Sequence, residues 1–277
     1  MSRPRRWPWI CFVALAMAIS WSAVAAAAWV DHPAGLFAVQ TLAKFGPSLA
    51  GLALLLAGEG LAGTRYRLWA AVARPAGPAA WTIVLVGPFA VWCAILAAWQ
   101  AAGDANLLLV SSAIPSLVPL LLQRFFLGGG LGEEIGWRGY LLPTLLERHT
   151  PLTASLIVGI VWGLWHAPAF WGFTSGKEGG ATMLALFTVY TVALSVLFTL
   201  LWLRTGGNLL LCCVLHASLN ATENWVKAVF PAIAAEPEPT LIFAGTIAVL
   251  ALFGGAILWL RPQSIGHGGA SVRANGD

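Results

Sequence analysis

The chain alternates between long apolar runs and short polar breaks, and most of the runs share one length. Continuous hydrophobic stretches lie near residues 9–29, 36–57, 81–101, 106–127, 151–172, 182–203, 207–227 and 240–260, with a shorter helix expected near 131–147. A helix needs about 20 predominantly apolar residues to cross a bilayer, so the pattern predicts membrane spans. The breaks "HPAG", "RPAGP", "GDAN", "FLGGG", "RHTP", "TSGKEGG", "RTGGN" and "AAEPEPT" are rich in residues that end helices and form turns. No internal repeat, low-complexity segment or soluble domain interrupts the series. The expectation is an all-α fold: a polytopic membrane helical bundle forming one domain over 1–262, with 263–277 as a disordered cytoplasmic tail.

Composition agrees. Of 277 residues, 59% are hydrophobic and only 9% charged, against about a quarter charged in soluble domains. Mean hydropathy is +0.80. The net charge of +4 comes from loop arginines, so it orients the chain in a bilayer and does not build a nucleic-acid surface. Basic residues favour the cytoplasmic ends of spans. With Arg3, Arg5 and Arg6 inside, alternation places Arg65, Arg67, Arg74, Arg148, Arg204, Arg261 and Arg273 inside too. Lys177 and Lys227 fall outside, and Lys44 lies within a span. That alternation requires about eight crossings, with 131–147 as the end of the fourth or a partial re-entry, and puts both termini in the cytoplasm. A cleaved signal peptide is the rival reading of the N-terminus, because "SAVAAAA" follows a basic start and an apolar stretch. The run is longer than the roughly 7–15 residues of a signal-peptide core. Cys11, Cys93, Cys212 and Cys213 all fall in apolar spans without ligand spacing, and are expected to be buried thiols.

Ionisable groups inside spans are costly and mark pathways or sites. Three clusters qualify. In "LGEEIGWRGYLLP" (131–143), Glu134 and Arg138 are four apart and share a helix face, where they can pair. Glu133 lies about 100° around the helix and points elsewhere. In "WGLWHAPAFW" (162–171), Trp162 and His166 share a face, with Pro168 disturbing the helix beyond them. In "NLLLCCVLHASLN" (208–220), His216 and Asn220 are again four apart. Taken singly, each has a plain structural explanation: a charged loop, a packed histidine, an interhelical polar clasp. Together they place a carboxylate, an imidazole and two neutral donors on separate spans whose polar faces meet only in the bundle interior. That set suffices for peptide hydrolysis, with a base to activate water and donors to hold the oxyanion. No serine or cysteine occupies a comparable motif, although Ser218 is close in sequence.

"EEIGWRG" resembles the EExxxR motif of the CAAX-protease and bacteriocin-processing (Abi) family, "WGLWH" its aromatic-plus-histidine motif and "HASLN" its HxxxN motif, in the family's order. The motif core covers about 130–222; Trp162 stands where phenylalanine is commoner. The resemblance implies an intramembrane glutamic endopeptidase that needs no cofactor. By it, Glu133 would be the general base, His166 would bind and polarise the water, and His216 and Asn220 would form the oxyanion hole. Glu134 and Arg138 would be a supporting pair. The substrate would be a membrane-associated or lipidated protein or peptide, with the lipid bilayer as the other partner. The short loops and alanine-rich composition point to a bacterial plasma membrane. Two alternatives stand beside it: a zinc protease ligated by Glu133, His166 and His216, lacking any HExxH-type pair, and a non-enzymatic immunity or scaffold protein. A transporter would need internal repeats, which the sequence lacks.

Overall fold

A computed structural model of the chain describes residues 8–102, 111–173 and 179–231. The expected eighth span (240–260), the tail, Arg3, Arg5, Arg6, Lys177, Arg261, Arg273 and the start of the fourth span lie outside these residues. Among the described residues all regular structure is helical. In chain order these are α1 (Trp9–Ala27), α2 (Pro33–Val72), α3 (Pro78–Ala102), a 3₁₀ segment (Ser111–Ser116), α4 (Leu117–Leu127) and α5 (Gly129–Gly136). A π-helical turn (Trp137–Leu141) then leads through α6 (Leu142–Leu146) to α7 (Pro151–Trp165), α8 (Ala167–Phe170), α9 (Gly180–Arg204) and α10 (Leu209–Val229). Helices α1, α2, α3 and α9 are each long and apolar enough to cross a membrane, and α7 is a shorter apolar helix. The protein is an integral membrane helical bundle.

Small residues set how closely the helices approach. In α1, Phe12, Ala16, Ser20 and Ala23 recur at helical spacing and are buried. A Cβ added at Gly46 of α2 would lie 1.9 Å from Ser20 Oγ, so the crossing of α1 and α2 depends on that missing atom. Helix α2 is broken at Gly60, whose φ of 68° and ψ of 177° are open to glycine. Glu59 and Arg67 form an ion pair across the break. The start of α7 is capped by Thr150, whose hydroxyl accepts from the Thr153 amide at 3.2 Å, with Pro151 in the first helical turn. Asn208 caps α10 in the same way, accepting from the Leu211 amide at 2.9 Å. Its side-chain amide also donates to the Arg74 carbonyl at 2.6 Å, which ties the α2–α3 connection to the α9–α10 turn at one end of the bundle.

Large apolar side chains such as Ile10, Leu122, Ile160 and Val189 are exposed on the outer surface, the surface that hydrocarbon covers in a membrane. The expectation that all four cysteines are buried needs correcting. Cys212 and Cys213 are buried, but Cys11 and Cys93 are exposed. A helix apolar all round gives no phase from which to choose the inward face, so burial there cannot be read from hydrophobicity.

Candidate active site

The stretch with two glutamates sits where α2, α10 and α7 converge. Glycines make room for it. A Cβ at Gly136 would lie 2.3 Å from the Pro47 carbonyl oxygen of α2, and one at Gly129 would lie 2.1 Å from Nε2 of His216 in α10. Helix α5 therefore packs backbone-first against both neighbours. It passes into the π-helical turn at Trp137, a rare geometry frequent at functional sites.

Side chains four apart project together here, and two such pairs stand side by side. In the first, Arg138 Nη1 donates to both oxygens of Glu134, at 2.7 and 3.0 Å. Both side chains are fully buried. The guanidinium lies over the Phe198 ring at 4.0 Å and the Trp162 ring at 4.7 Å. Those aromatic faces, which are electron-rich, offset part of the cost of burying a cation. In the second pair, the Trp137 indole donates to Glu133 Oε2 at 3.3 Å. Trp162, on α7, donates to the same oxygen at 2.7 Å. Two indole N–H groups thus fix one oxygen of Glu133 and leave Oε1 directed to the other side, 3.8 Å from His216 Nε2.

His216 is oriented from behind. Its Nδ1 lies 2.7 Å from Glu134 Oε1. Glu134 is already paired with Arg138 and acts as an acceptor, so the Nδ1–H donates and Nε2 is the atom presented to Glu133. His166 departs from the mid-helix position expected for it. Helix α7 stops at Trp165, and His166 forms the junction with α8, where Pro168 lies in the first turn. Its Nδ1 lies 2.8 Å from the Trp162 carbonyl. A carbonyl only accepts, so this nitrogen carries the proton and Nε2 is the acceptor atom. Asn220 follows His216 by one turn of α10 on the same side.

These side chains surround a cavity of about 700 Å³. Glu133, His166, His216 and Asn220 all line it, whereas Glu134 and Arg138 lie behind the wall. Helix α1 supplies Ser20, Trp21, Val24 and Ala27 to the wall. It is bonded to α7 by Trp21 Nε1 donating to the Trp165 carbonyl at 3.0 Å and by Trp165 Nε1 donating to Ser20 Oγ at 2.8 Å. Cleavage in "SAVAAAA" would cut through this wall, which weighs against the signal-peptide reading.

Sequence reasoning missed several lining or supporting groups. The Trp137–Glu133 contact was open to a four-residue spacing argument. The Trp162–Glu133 bond joins residues 29 positions apart, and no local pattern announces it. Lys44, Arg124, Glu223 and Lys227 also line the cavity. No three His, Cys, Asp or Glu side chains among the described residues are grouped as metal ligands, so the arrangement gives no support to a zinc site built from Glu133, His166 and His216.

Residues 115–222 match the family model described as type II CAAX prenyl endopeptidase Rce1-like. The chain is also 28% identical over 114 residues to the CAAX prenyl protease 2 of Methanococcus maripaludis. That match spans 40% of this chain and 40% of the relative, so it covers less than half of either protein. The matched family segment contains α4 to α8, α9 and the cavity-lining part of α10 with His216 and Asn220. Through this segment, which carries all three motifs, the chain is similar to the CAAX protease family.

Proposed function

We propose that the protein is an intramembrane glutamic endopeptidase. The observation that carries this reading is the asymmetric setting of Glu133: Oε2 is held by two indole donors, while Oε1 faces a cavity also lined by two histidines and an asparagine. A water between Glu133 and His166 gives a proton to Glu133 Oε1 as its oxygen attacks the peptide carbonyl. Accepting a hydrogen bond from that water at Nε2 lets His166 orient it. The C–N bond then breaks, and the proton on Glu133 passes to the departing amine, returning the carboxylate.

The negative charge on the carbonyl oxygen is stabilised by His216 Nε2 and the Asn220 side-chain amide. For Nε2 to donate while Nδ1 donates to Glu134, His216 must carry both ring protons. Glu134 stabilises that state, and Arg138 holds Glu134 in place. The pair behind the wall is thus part of the positioning of the oxyanion site, even though neither member touches the cavity.

The substrate is a membrane-associated or lipidated protein or peptide, a reading supported by the name of the archaeal relative and by a site inside the bundle. The setting is a bacterial plasma membrane with both termini cytoplasmic. Arg74 and Arg204, both expected inside, flank connections bonded together by Asn208, which supports that orientation. Purified protein in detergent is to be tested against a pool of membrane peptides, beside Glu133→Gln and with and without chelator. Cleavage that survives chelation and disappears in Glu133→Gln is expected. Activity retained by Glu133→Gln would reject the assignment, and activity lost only on chelation would turn the reading to a metalloprotease. If neither protein cleaves any peptide, and Glu133→Gln also leaves the cellular phenotype unchanged, the immunity or scaffold reading takes its place.

A further inference from the structure

The charged residues lining the cavity do not balance. Glu223 and Lys227 are paired with each other at 2.9 Å. This leaves Lys44 of α2 and Arg124 of α4 lining the same cavity as Glu133. Neither cation has a hydrogen bond or ion pair with any described residue within salt-bridge distance, and Arg124 Nε is buried without a partner. They belong to one locality. The Lys44 carbonyl would lie 3.0 Å from a Cβ at Gly132, the residue before Glu133. The Lys44 ammonium is within electrostatic reach of both Arg124 and Glu133. Gln40, one turn before Lys44 on α2, adds an amide to the same wall.

Two half-buried cations lining one cavity in an apolar bundle repel one another, and leaving them without compensation is costly. Glu133 faces His216, so one more negative charge beside Lys44 and Arg124 would offset part of the positive charge they bring to the cavity. A carboxylate suits this set. It can accept from the planar guanidinium and from the ammonium at once, with the Gln40 amide beside them. Glu133 is unsuited to fill the role itself, since one of its oxygens is committed to two indoles and the other faces His216.

Building on the protease reading above, we infer that Lys44 and Arg124, with Gln40, form a subsite for a carboxylate carried by the substrate near the scissile bond. The carboxylate comes either from a free C-terminus or from an acidic side chain, and anchoring it sets which peptide bond reaches Glu133.

The test uses full-length Glu133→Gln protein in neutral detergent, so that binding is read without turnover. Three acetylated Ala/Leu hexapeptides carrying a neutral dye serve as probes. One ends in a free acid, one in an amide, and one in an amide with glutamate at the penultimate position. Tighter binding of one of the two carboxylate peptides than of the neutral amide, by about tenfold or more, is expected. Which of them gains identifies the source of the carboxylate. Adding Lys44→Met or Arg124→Gln should bring that ratio towards one, while a thermal melt reports that each variant is folded. Equal binding of all three peptides would overturn the subsite. So would a ratio that survives both substitutions, or a set of variants that lose affinity only for vesicles of anionic phospholipid, which would make a lipid headgroup the occupant. Because binding is measured in an inactive variant, the subsite can fail while proteolysis stands. Wild-type cleavage assays judge the protease reading separately.

Discussion

Replacing Trp162 by phenylalanine separates base orientation from packing. The change keeps an aromatic ring in the motif position where phenylalanine is the commoner family residue, and it keeps a face for Arg138, which lies 4.7 Å from the Trp162 ring. What it removes is the 2.7 Å bond to Glu133 Oε2. A hydrogen bond to a charged acceptor contributes about 1.5–3 kcal/mol. If all of that energy is expressed in the reacting geometry and none in the ground state, the ceiling on the rate loss is about 10- to 150-fold. The Trp137 bond remains, but at 3.3 Å it is longer and holds the oxygen less firmly. A fall in kcat of roughly tenfold or more is therefore expected for Trp162→Phe, with a smaller fall for Trp137→Phe. Trp165→Phe is the control: it deletes the same atoms three residues along, but its indole donates to Ser20 and not to the carboxylate. A quenched fluorescent peptide taken from the initial cleavage screen gives kcat and KM in detergent, and a thermal melt gives stability. Wild-type kcat in a folded Trp162→Phe protein would refute the idea that two indoles fix the working orientation of Glu133. So would an equal loss in Trp165→Phe.

Three further outcomes follow from the same geometry. Arg138→Leu leaves buried Glu134 with His216 Nδ1 as its remaining partner and is expected to cost about 3–5 kcal/mol of stability, read as a lower melting temperature; an unchanged melt would mean that the Arg138 pair adds nothing net. Asn220→Ala, at a half-buried position on the cavity wall, is expected to lower kcat by about 100- to 1,000-fold with little change in melting temperature. Gly129→Ala puts a methyl group 2.1 Å from His216 Nε2, so the imidazole must move. Activity should fall well below wild type while the bundle remains folded, and wild-type activity in that variant would refute the placement of His216.

Much of this fold was legible because a bilayer imposes one length and one polarity on every span. The long runs at 9–29, 36–57, 81–101 and 182–203 correspond to α1, the first part of α2, α3 and α9, since only residue type had to be read. The candidate site was legible for a different reason: ionisable and amide side chains are so scarce in apolar helices that Glu133, Glu134, Arg138, His166, His216 and Asn220 stood out together. Less visible was whatever depends on three-dimensional phase. The break at Gly60 leaves no trace in hydropathy, because the glycine is flanked by residues that would suit a helix. The ending of α7 at Trp165 was half visible in Pro168, which disfavours a helical residue before it, yet the apolar run continued past it. Lys44 was visible as a charge within a span, but its position on the cavity wall needs α2 packed beside α5. The indole donors to Glu133 were hidden by abundance: with 15 tryptophans in the chain, their presence near a motif carries little information.

The two hydrogen bonds between α1 and Trp165 bear on how the protein could be manipulated. Because α1 is one side of the cavity, removing it would widen a partly open pocket into a trench open to the acyl chains, with the histidines and Glu133 along its floor. Solvent water would then share the trench with lipid tails, and any extended segment drifting in the plane of the bilayer could reach the base. On the proposed protease reading, the first helix would be a partition between the reaction and the surrounding lipid, and loosening it should broaden what is cut before it abolishes cutting.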